Sequence, residues 1–465
     1  MPMKIIRDPI HGFIEYNELE EKIINTRVFQ RLRNIKQLAF AHYVYPGALH
    51  TRFDHSLGVM HLANKMAKRL FTGEGYRERI ETIRLAGLLH DIGHGPFSHV
   101  SEQLLEENTS NLDDLKKEYK AANAHELMSI LIIQYHDEID DILNDKSIKE
   151  GVIQLIKESE NSEGFLEKDI VSGPLDADKL DYILRDSYFA GVKYGVFDIE
   201  KLIESMVPIP ISSTEKRVGI REEGVFALEQ FLLANYHMKM QVYYHSIRRI
   251  ADAMLIRGIN LAIEDGAEEI RELFSIKDNR KYIQNYIQYN DYSLIDKALQ
   301  ADTKSSDYFE RLKRRALFKE ICFLELSKNE LGVDAVTYNR IMKMSNSDTH
   351  EISESISEFL NANYGLTKSI EPRTIIIDKQ SFTNPTFKTP GITIDAKTIY
   401  VLCEKNEDFK NEDFHEISGI FSNPSIEREK IMLYVYAPID NVDENERKSM
   451  SKDLRSHVKE FLKGL

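Results

Sequence analysis

The sequence predicts a mostly α-helical protein that ends in a small α+β lobe. Two observations predict it. Apolar residues recur at three- and four-residue spacing over most of the first 345 residues, as helices with one buried face require. β-branched and aromatic runs bounded by proline, glycine and asparagine gather only after Pro372. The composition can fill a core: of 465 residues, 42% are hydrophobic and 29% charged. That excludes collagen-like, disordered and small disulfide-stapled chains.

The elements follow in order. Arg27 to Leu38 places Val28, Leu32 and Ile35 at helical spacing, with Asn25-Thr26 as a cap. Ser56 to Phe71 carries one apolar face of Leu57, Met60, Ala63, Met66, Ala67 and Leu70. Glu81 to His90 reads as a central apolar helix, broken by the glycines and proline of Gly93-His94-Gly95-Pro96. Residues 125–145, 179–188 and 198–206 also read as helices. A long helical region runs from Glu222 to about Glu264, and more helix follows to about Met344. The charges there, including Lys313-Arg314-Arg315, read as a solvated face. Asn346 to His350 reads as a loop. Thr374 to Ile377, Thr398 to Cys403 and Ile431 to Tyr436 read as strands, and Glu444 to Leu462 as an amphipathic helix. The expected organisation is a core over 1–210, a helical extension over 211–345 and an α+β lobe over 371–465.

Several function classes fall away at this level. No run of about 18 apolar residues offers a membrane span, and the N-terminus lacks the apolar stretch of a signal peptide. Cys322 and Cys403 are far apart and without metal-ligand spacing, so a reducing, cytoplasmic location is expected. A formal net charge of -15 argues against a general nucleic-acid coat.

The histidines are uneven. Nine of the 15 lie in the first 125 residues. A single histidine is usually an ordinary core or surface residue, but a cluster with Asp and Arg points to metal or acid/base chemistry. His50-Thr51-Arg52-Phe53-Asp54-His55 opens a helix, and His90-Asp91 closes one. His94 follows His90 by four residues, so both can face one side. Imidazole nitrogens with carboxylate oxygens suit a divalent cation such as Mn, Fe, Ni, Mg or Zn.

Taken together, RFDHS, LLHDIGHGPFSH and LDADKLDYILRD resemble the HD-domain metal-dependent phosphohydrolases. With RDPIHGFIEYNELEEKIINTRVFQRLRNIKQL and YVYPGALHT added, the segment from about 4 to 250 resembles the deoxynucleoside triphosphate triphosphohydrolases. These include bacterial dNTPases and the animal enzyme that joins a SAM domain to an HD domain. The chain begins at the HD part, so no SAM domain is expected. The resemblance implies an HD helical core, hydrolysis of dNTPs to deoxynucleoside and inorganic triphosphate, and a divalent metal. It implies His55, His90, Asp91 and Asp178 as metal ligands. His94 and His125 match catalytic histidines, with Glu102 as an acidic partner. His99 matches a substrate-facing histidine. Arg52, Lys179, Tyr182 and Asp186 match triphosphate and sugar contacts; Gln37 and Leu38 match residues beside the sugar; and Tyr243 matches the tyrosine near its 2′ carbon. The choice of general acid between His94 and His125 stays open. Asn235 departs from the animal enzyme, which has a phosphate-holding arginine there. The other readings are an HD phosphohydrolase for ppGpp, a nucleoside monophosphate or a phosphodiester, and a non-catalytic nucleotide sensor.

The resemblance also implies a homo-oligomer, a tetramer, with activator nucleotides between subunits. Lys4, Asn25, Gln30 and Arg33 fall at the regulatory positions. The animal enzyme has aspartate at Asn25, and an amide presents a donor where guanine also donates. Such a mismatch costs about 1–3 kcal/mol, so strict guanine dependence is not expected. Asn25 has a simpler reading as a cap of the next helix.

Overall fold

The computed structural model describes residues 3–157, 166–210, 216–301, 303–326, 335–344, 346–366, 368–383, 392–394, 397–405, 408–412, 429–440 and 442–464. The chain divides into two units. One comprises 1–248, 259–306 and 387–423, and the other 249–258, 307–386 and 424–465.

The first unit is helical and opens with a hairpin absent from the sequence reading. Strands β1 (Lys4–Asp8) and β2 (Gly12–Tyr16) pair antiparallel, Asp8 opposite Gly12. Asn17 and Glu20 then form a reciprocal capping box on the helix Glu18–Ile24. The helix expected over Arg27–Leu38 is shorter. It runs Arg27–Gln30, tightens to a 3-10 turn at Arg31–Asn34 and becomes extended at Ile35. The reason is backbone pairing: Gln37 N–H donates to His50 C=O, and Arg52 N–H donates to Ile35 C=O.

Thr51 and Asp54 cap the long helix Arg52–Leu70. It packs on Arg77–Leu89 and on Ala177–Ala190. Val59, Met60, Ala63, Met66 and Ala67 meet Ile83, Leu85, Ala86, Leu88 and Leu89 in a core with no solvent exposure. Expected helices at 125–145 and 179–188 appear as Ala124–Tyr135 with Asp137–Ile142, and as Ala177–Ala190. The segment expected at 198–206 is Ile199–Glu204, followed by β3 (Met206–Pro210). The long region after Glu222 forms Val225–Met238, a π turn at Lys239–Tyr243 and Ser246–Glu264. Strand β3 pairs antiparallel with β4 (Lys216–Arg221).

In the second unit, β5 (Lys319–Leu326) lies where helix was expected. With β6 (Ile376–Thr383) and β10 (Glu429–Ala437) it makes an antiparallel sheet of order β5-β10-β6. Helices Asn346–Asn363 and Glu444–Gly464 supply Ile352, Ile356, Leu360, Met450, Leu454, Val458 and Leu462 to its core. The expected loop at Asn346–His350 is thus the first turn of a helix. The remaining strands, β7 (Ile392–Ile394), β8 (Lys397–Lys405) and β9 (Asp408–Glu412), belong to the first unit, where β8 runs parallel to β4. Among the described residues, no helix is long and apolar enough to cross a membrane.

Candidate metal centre and active site

Three chain segments converge in the first unit. His55 sits in the first turn of Arg52–Leu70. His90 and Asp91 sit where Arg77–Leu89 ends, and Asp178 lies in the first turn of Ala177–Ala190, whose N-cap is Asp176. The turn after Asp91 has its carbonyls fixed by buried donors. Arg31 donates to Ile92 C=O at 3.0 Å and His94 C=O at 2.8 Å, and Tyr286 O–H donates to Gly93 C=O at 3.0 Å. A Cβ at Gly93 would lie 2.2 Å from Ser129 N and 2.4 Å from His125 C=O. Glycine here lets the turn touch the helix that carries His125.

Each histidine's orientation is set from behind. His55 Nδ1 pairs with Asp181 Oδ2 at 2.8 Å, and His90 Nδ1 with Gly87 C=O at 2.8 Å. Donation through Nδ1 leaves both Nε2 lone pairs aimed at one point. His55 Nε2 lies 2.9 Å from Asp178 Oδ1 and 3.5 Å from Asp91 Oδ2. His90 Nε2 lies 3.3 Å from Asp91 Oδ1 and 3.7 Å from Asp178 Oδ1. Both Nε2 atoms are buried without a hydrogen-bond partner. The ligand atoms of His55, His90 and Asp91 lie within 4.8 Å of one another. Burial alone would lower the His55 pKa, but Asp178 and Asp181 outweigh it and raise it to about 10. The pocket therefore demands positive charge. Imidazole nitrogens and carboxylate oxygens around such a pocket fit a divalent cation.

Arg52 joins this cluster to its neighbours. It donates to Asp91 Oδ2 at 2.5 Å and to Ser98 Oγ at 3.0 Å, while its Nη2 is buried without a partner. Burial would raise the Asp91 pKa; Arg52 and the histidines hold it well below the usual range. Phe97 and Ser98 adopt φ values of 60° and 55°, a strained conformation for non-glycine residues. Asp291, accepting from Phe97 N–H at 2.7 Å, and Ser98 Oγ, donating to Lys36 C=O at 2.7 Å, hold them there.

Beside the cluster lies an acid–base pair. His125 Nδ1 meets Glu102 Oε1 at 2.6 Å, and His99 Nδ1 meets Glu102 Oε2 at 2.9 Å. His94 stacks on His125 with ring centroids 4.2 Å apart, and its Nε2 is 3.4 Å from Asp91. The surroundings push the two rings in opposite directions. Burial lowers the His94 pKa and nearby Arg52 lowers it further. Burial also opposes charge on His125, but Glu102 overcomes it and raises its pKa. The His99 side chain is 60% exposed, at the rim.

Asp178, Tyr182 and Asp186 recur every fourth residue on one face of their helix. Tyr243 O–H donates to Asp186 Oδ2 at 2.6 Å, and the Tyr182 and Tyr243 rings are 6.2 Å apart. Gln37 and Leu38 are buried, Gln37 with an unpartnered Oε1. Lys179 turns back, donating to Asp176 at 2.8 Å and Gly173 C=O at 3.1 Å. Asn235 is buried with an unpartnered Oδ1.

The proposed regulatory residues lie on the first segments. Lys4 pairs with Glu21, and Gln30 donates to Ile24 C=O and accepts from Arg33 Nε at 2.8 Å. Asn25 ends the helix Glu18–Ile24, whereas Thr26 caps the next one.

Sequence reasoning missed the supporting residues. His50 Nε2 pairs with Asp186 Oδ1 at 2.7 Å. Asp181 is clamped by Arg185 and by His11, and Arg185 also donates to Asp8. The four-residue spacing of Asp181 and Arg185 was a readable signal; the partners at 8 and 11 carried none.

The chain matches the model of the HD domain over residues 52–183 and that of the HD-associated region over 197–401. It is 34% identical to an uncharacterised protein, MJ1154, of Methanocaldococcus jannaschii over 69% of this chain. It is 32% identical to the uncharacterised protein YwfO of Bacillus subtilis over 70% of this chain and 73% of that protein. It is 31% identical over 65% of its length to a protein named deoxynucleoside triphosphate triphosphohydrolase SAMHD1 homolog from Dictyostelium discoideum. The matches span 59% of the Methanocaldococcus protein and 62% of the Dictyostelium one. A crystal structure of a hypothetical protein from Aquifex aeolicus superposes with a TM-score of 0.66 at 27% identity, covering 98% of this chain and all of that one. With both histidine–aspartate segments inside the matched region, the chain belongs to the HD-domain family of metal-dependent phosphohydrolases and carries that family's associated region.

Proposed function

We propose that this chain hydrolyses deoxynucleoside triphosphates to deoxynucleoside and inorganic triphosphate, with His55, His90, Asp91 and Asp178 holding a divalent cation. The observation that carries the reading is the row Asp178, Tyr182, Asp186. It runs from the cation cluster to the Tyr243 contact, so one helix face spans a phosphate end and a sugar end. The resemblance to the Dictyostelium enzyme points the same way.

A cation bound there supplies Lewis acidity, polarising the α-phosphate and lowering the pKa of water. Arg52, anchored by Asp91 and Ser98, keeps an unpartnered Nη2 for a phosphate oxygen and stabilises developing charge. The leaving 5′ oxygen is a poor alkoxide and needs a proton. His125 is the better donor, because Glu102 raises its pKa whereas burial and Arg52 lower that of His94. Tyr243, fixed on Asp186, crowds the sugar and disfavours a 2′ hydroxyl. Lys179 must leave Asp176 to reach a phosphate. The assembly is an oligomer, a tetramer, without strict dependence on a guanine activator.

The test is incubation of each dNTP with Mn2+ and separation of the products by anion exchange. Inorganic triphosphate is the expected product. Pyrophosphate with a nucleoside monophosphate, or no product from any dNTP alone or in pairs, would refute the reading.

A further inference from the structure

We propose that the turn of the N-terminal hairpin is a working part of the cation site: His11, set by Asp8, fixes Asp181, and Asp181 fixes His55. This rests on the reading of His55 as a cation ligand. The contacts are continuous. Asp8 Oδ1 accepts from the backbone N–H groups of Ile10 and His11 at 2.9 and 2.8 Å, which sets the turn. His11 Nε2 then lies 2.6 Å from Asp181 Oδ1, and the other oxygen of Asp181 holds His55 Nδ1 at 2.8 Å. Arg185 closes the loop, donating to both oxygens of Asp181 at 2.8 and 2.9 Å and to Asp8 Oδ2 at 2.8 Å. Asp181 and Arg185 are fully buried, and the His11 side chain is 6% exposed.

The neighbouring helix is shaped to admit this group. A Cβ on Gly58, three residues after His55, would lie 1.9 Å from Asp181 Oδ1 and 2.5 Å from Arg185 Nη2. The His61 ring, one further turn along, stacks on His11 at 5.2 Å. A carboxylate behind a ligating histidine fixes its ring and raises its basicity, and losing such support typically costs about 10–100-fold in metal affinity. His11, Asp8, Asp181 and Arg185 are thus positioning residues, and a segment some 45 residues before the first ligand takes part in holding the ion.

The experiment is calorimetric titration of the metal-stripped protein with Mn2+, beside thermal unfolding of the metal-free proteins. His11→Ala is expected to weaken Mn2+ binding about 10-fold or more. His11→Gln, whose amide N–H can still donate to Asp181, recovers most of that loss. His11→Ala that folds and binds Mn2+ as tightly as wild type would overturn the proposal, as would His11→Gln binding as weakly as His11→Ala. Should His11→Ala not fold, His11→Asn, with a shorter amide, takes its place with the same two outcomes. A wild type that binds no Mn2+, Fe2+, Ni2+, Mg2+ or Zn2+ would instead sink the cation site itself.

Discussion

Gly58→Ala is a substitution for which two physical effects give opposite signs. In a helix interior alanine is favoured over glycine by about 1 kcal/mol, and Gly58 lies well inside Arg52–Leu70. Propensity alone therefore predicts a more stable protein. The surroundings predict the reverse. The new methyl carbon would lie 1.9 Å from Asp181 Oδ1, whereas such a contact needs about 3.3 Å. The carboxylate must move by roughly 1.4 Å, and with it go its contacts to His11, His55 and Arg185. Arg185 has no water to turn to, being fully buried. Disrupting a buried pair of this kind costs about 3–5 kcal/mol, so the net expectation is a loss of about 2–4 kcal/mol. Urea unfolding of metal-free protein, followed by circular dichroism, reads this as a lower midpoint of the transition. A Gly58→Ala protein at least as stable as wild type would refute the arrangement of Asp181 and Arg185 on which the estimate rests.

Asp91→Ala removes a ligand together with the partner of Arg52; metal analysis and dNTP turnover should both fall more than about a hundredfold, and near-normal turnover would remove Asp91 from the site. Glu102→Gln withdraws the charge that raises the His125 pKa; activity that needs protonated His125 is lost as pH rises through that pKa, so the alkaline limb of kcat against pH should move to lower pH. An unchanged limb would mean His125 is not the acid. dATP should be turned over and ATP poorly, if Tyr243, held by Asp186, lies beside the sugar as proposed; equal rates would sink this. Light scattering should show an oligomer, and turnover should not require GTP or dGTP; a monomer, or strict dependence abolished by Asn25→Ala, would refute that part.

Most helices were legible because their apolar faces are buried as the spacing implies. The exceptions have local causes. In the first hairpin Ile5 and Phe13 are 59% and 54% exposed, so the apolar residues do not alternate with burial as a strand reading requires. Strand β5 follows Lys313-Arg314-Arg315, which continued the helical look of the extension, although Ile321, Cys322, Leu324 and Leu326 are all buried. Over Arg27–Leu38 the apolar spacing was right, with Val28, Leu32 and Ile35 all buried, but the α-helix ends after four residues because the backbone at Ile35 and Gln37 pairs with Arg52 and His50, partners the segment itself does not contain. At Asn346–His350, loop-forming residue types also suit the start of a helix, with Asp348 in its first turn.

The candidate site divides in the same way, and charge explains where. Asp91 is answered by Arg52, Asp181 by Arg185, Asp176 by Lys179 and Glu102 by His125. Asp178 is different: among the described residues it meets His55 and His90, and no lysine or arginine pairs with it. Asp178 thus faces the two histidines with no lysine or arginine paired to it, and the cation proposed for this cluster would supply the positive charge that Arg52 supplies to Asp91. The supporting residues are those whose charge is already answered inside the fold. Their partners come from distant segments, as Asp8 and His11 do for the helix at 177–190, and no spacing in the sequence records that meeting. Residue types and motif contexts can therefore mark the four side chains proposed as ligands. What holds those side chains is written only in the packing, and the 2.6 Å contact between His11 and Asp181 is where the two descriptions join.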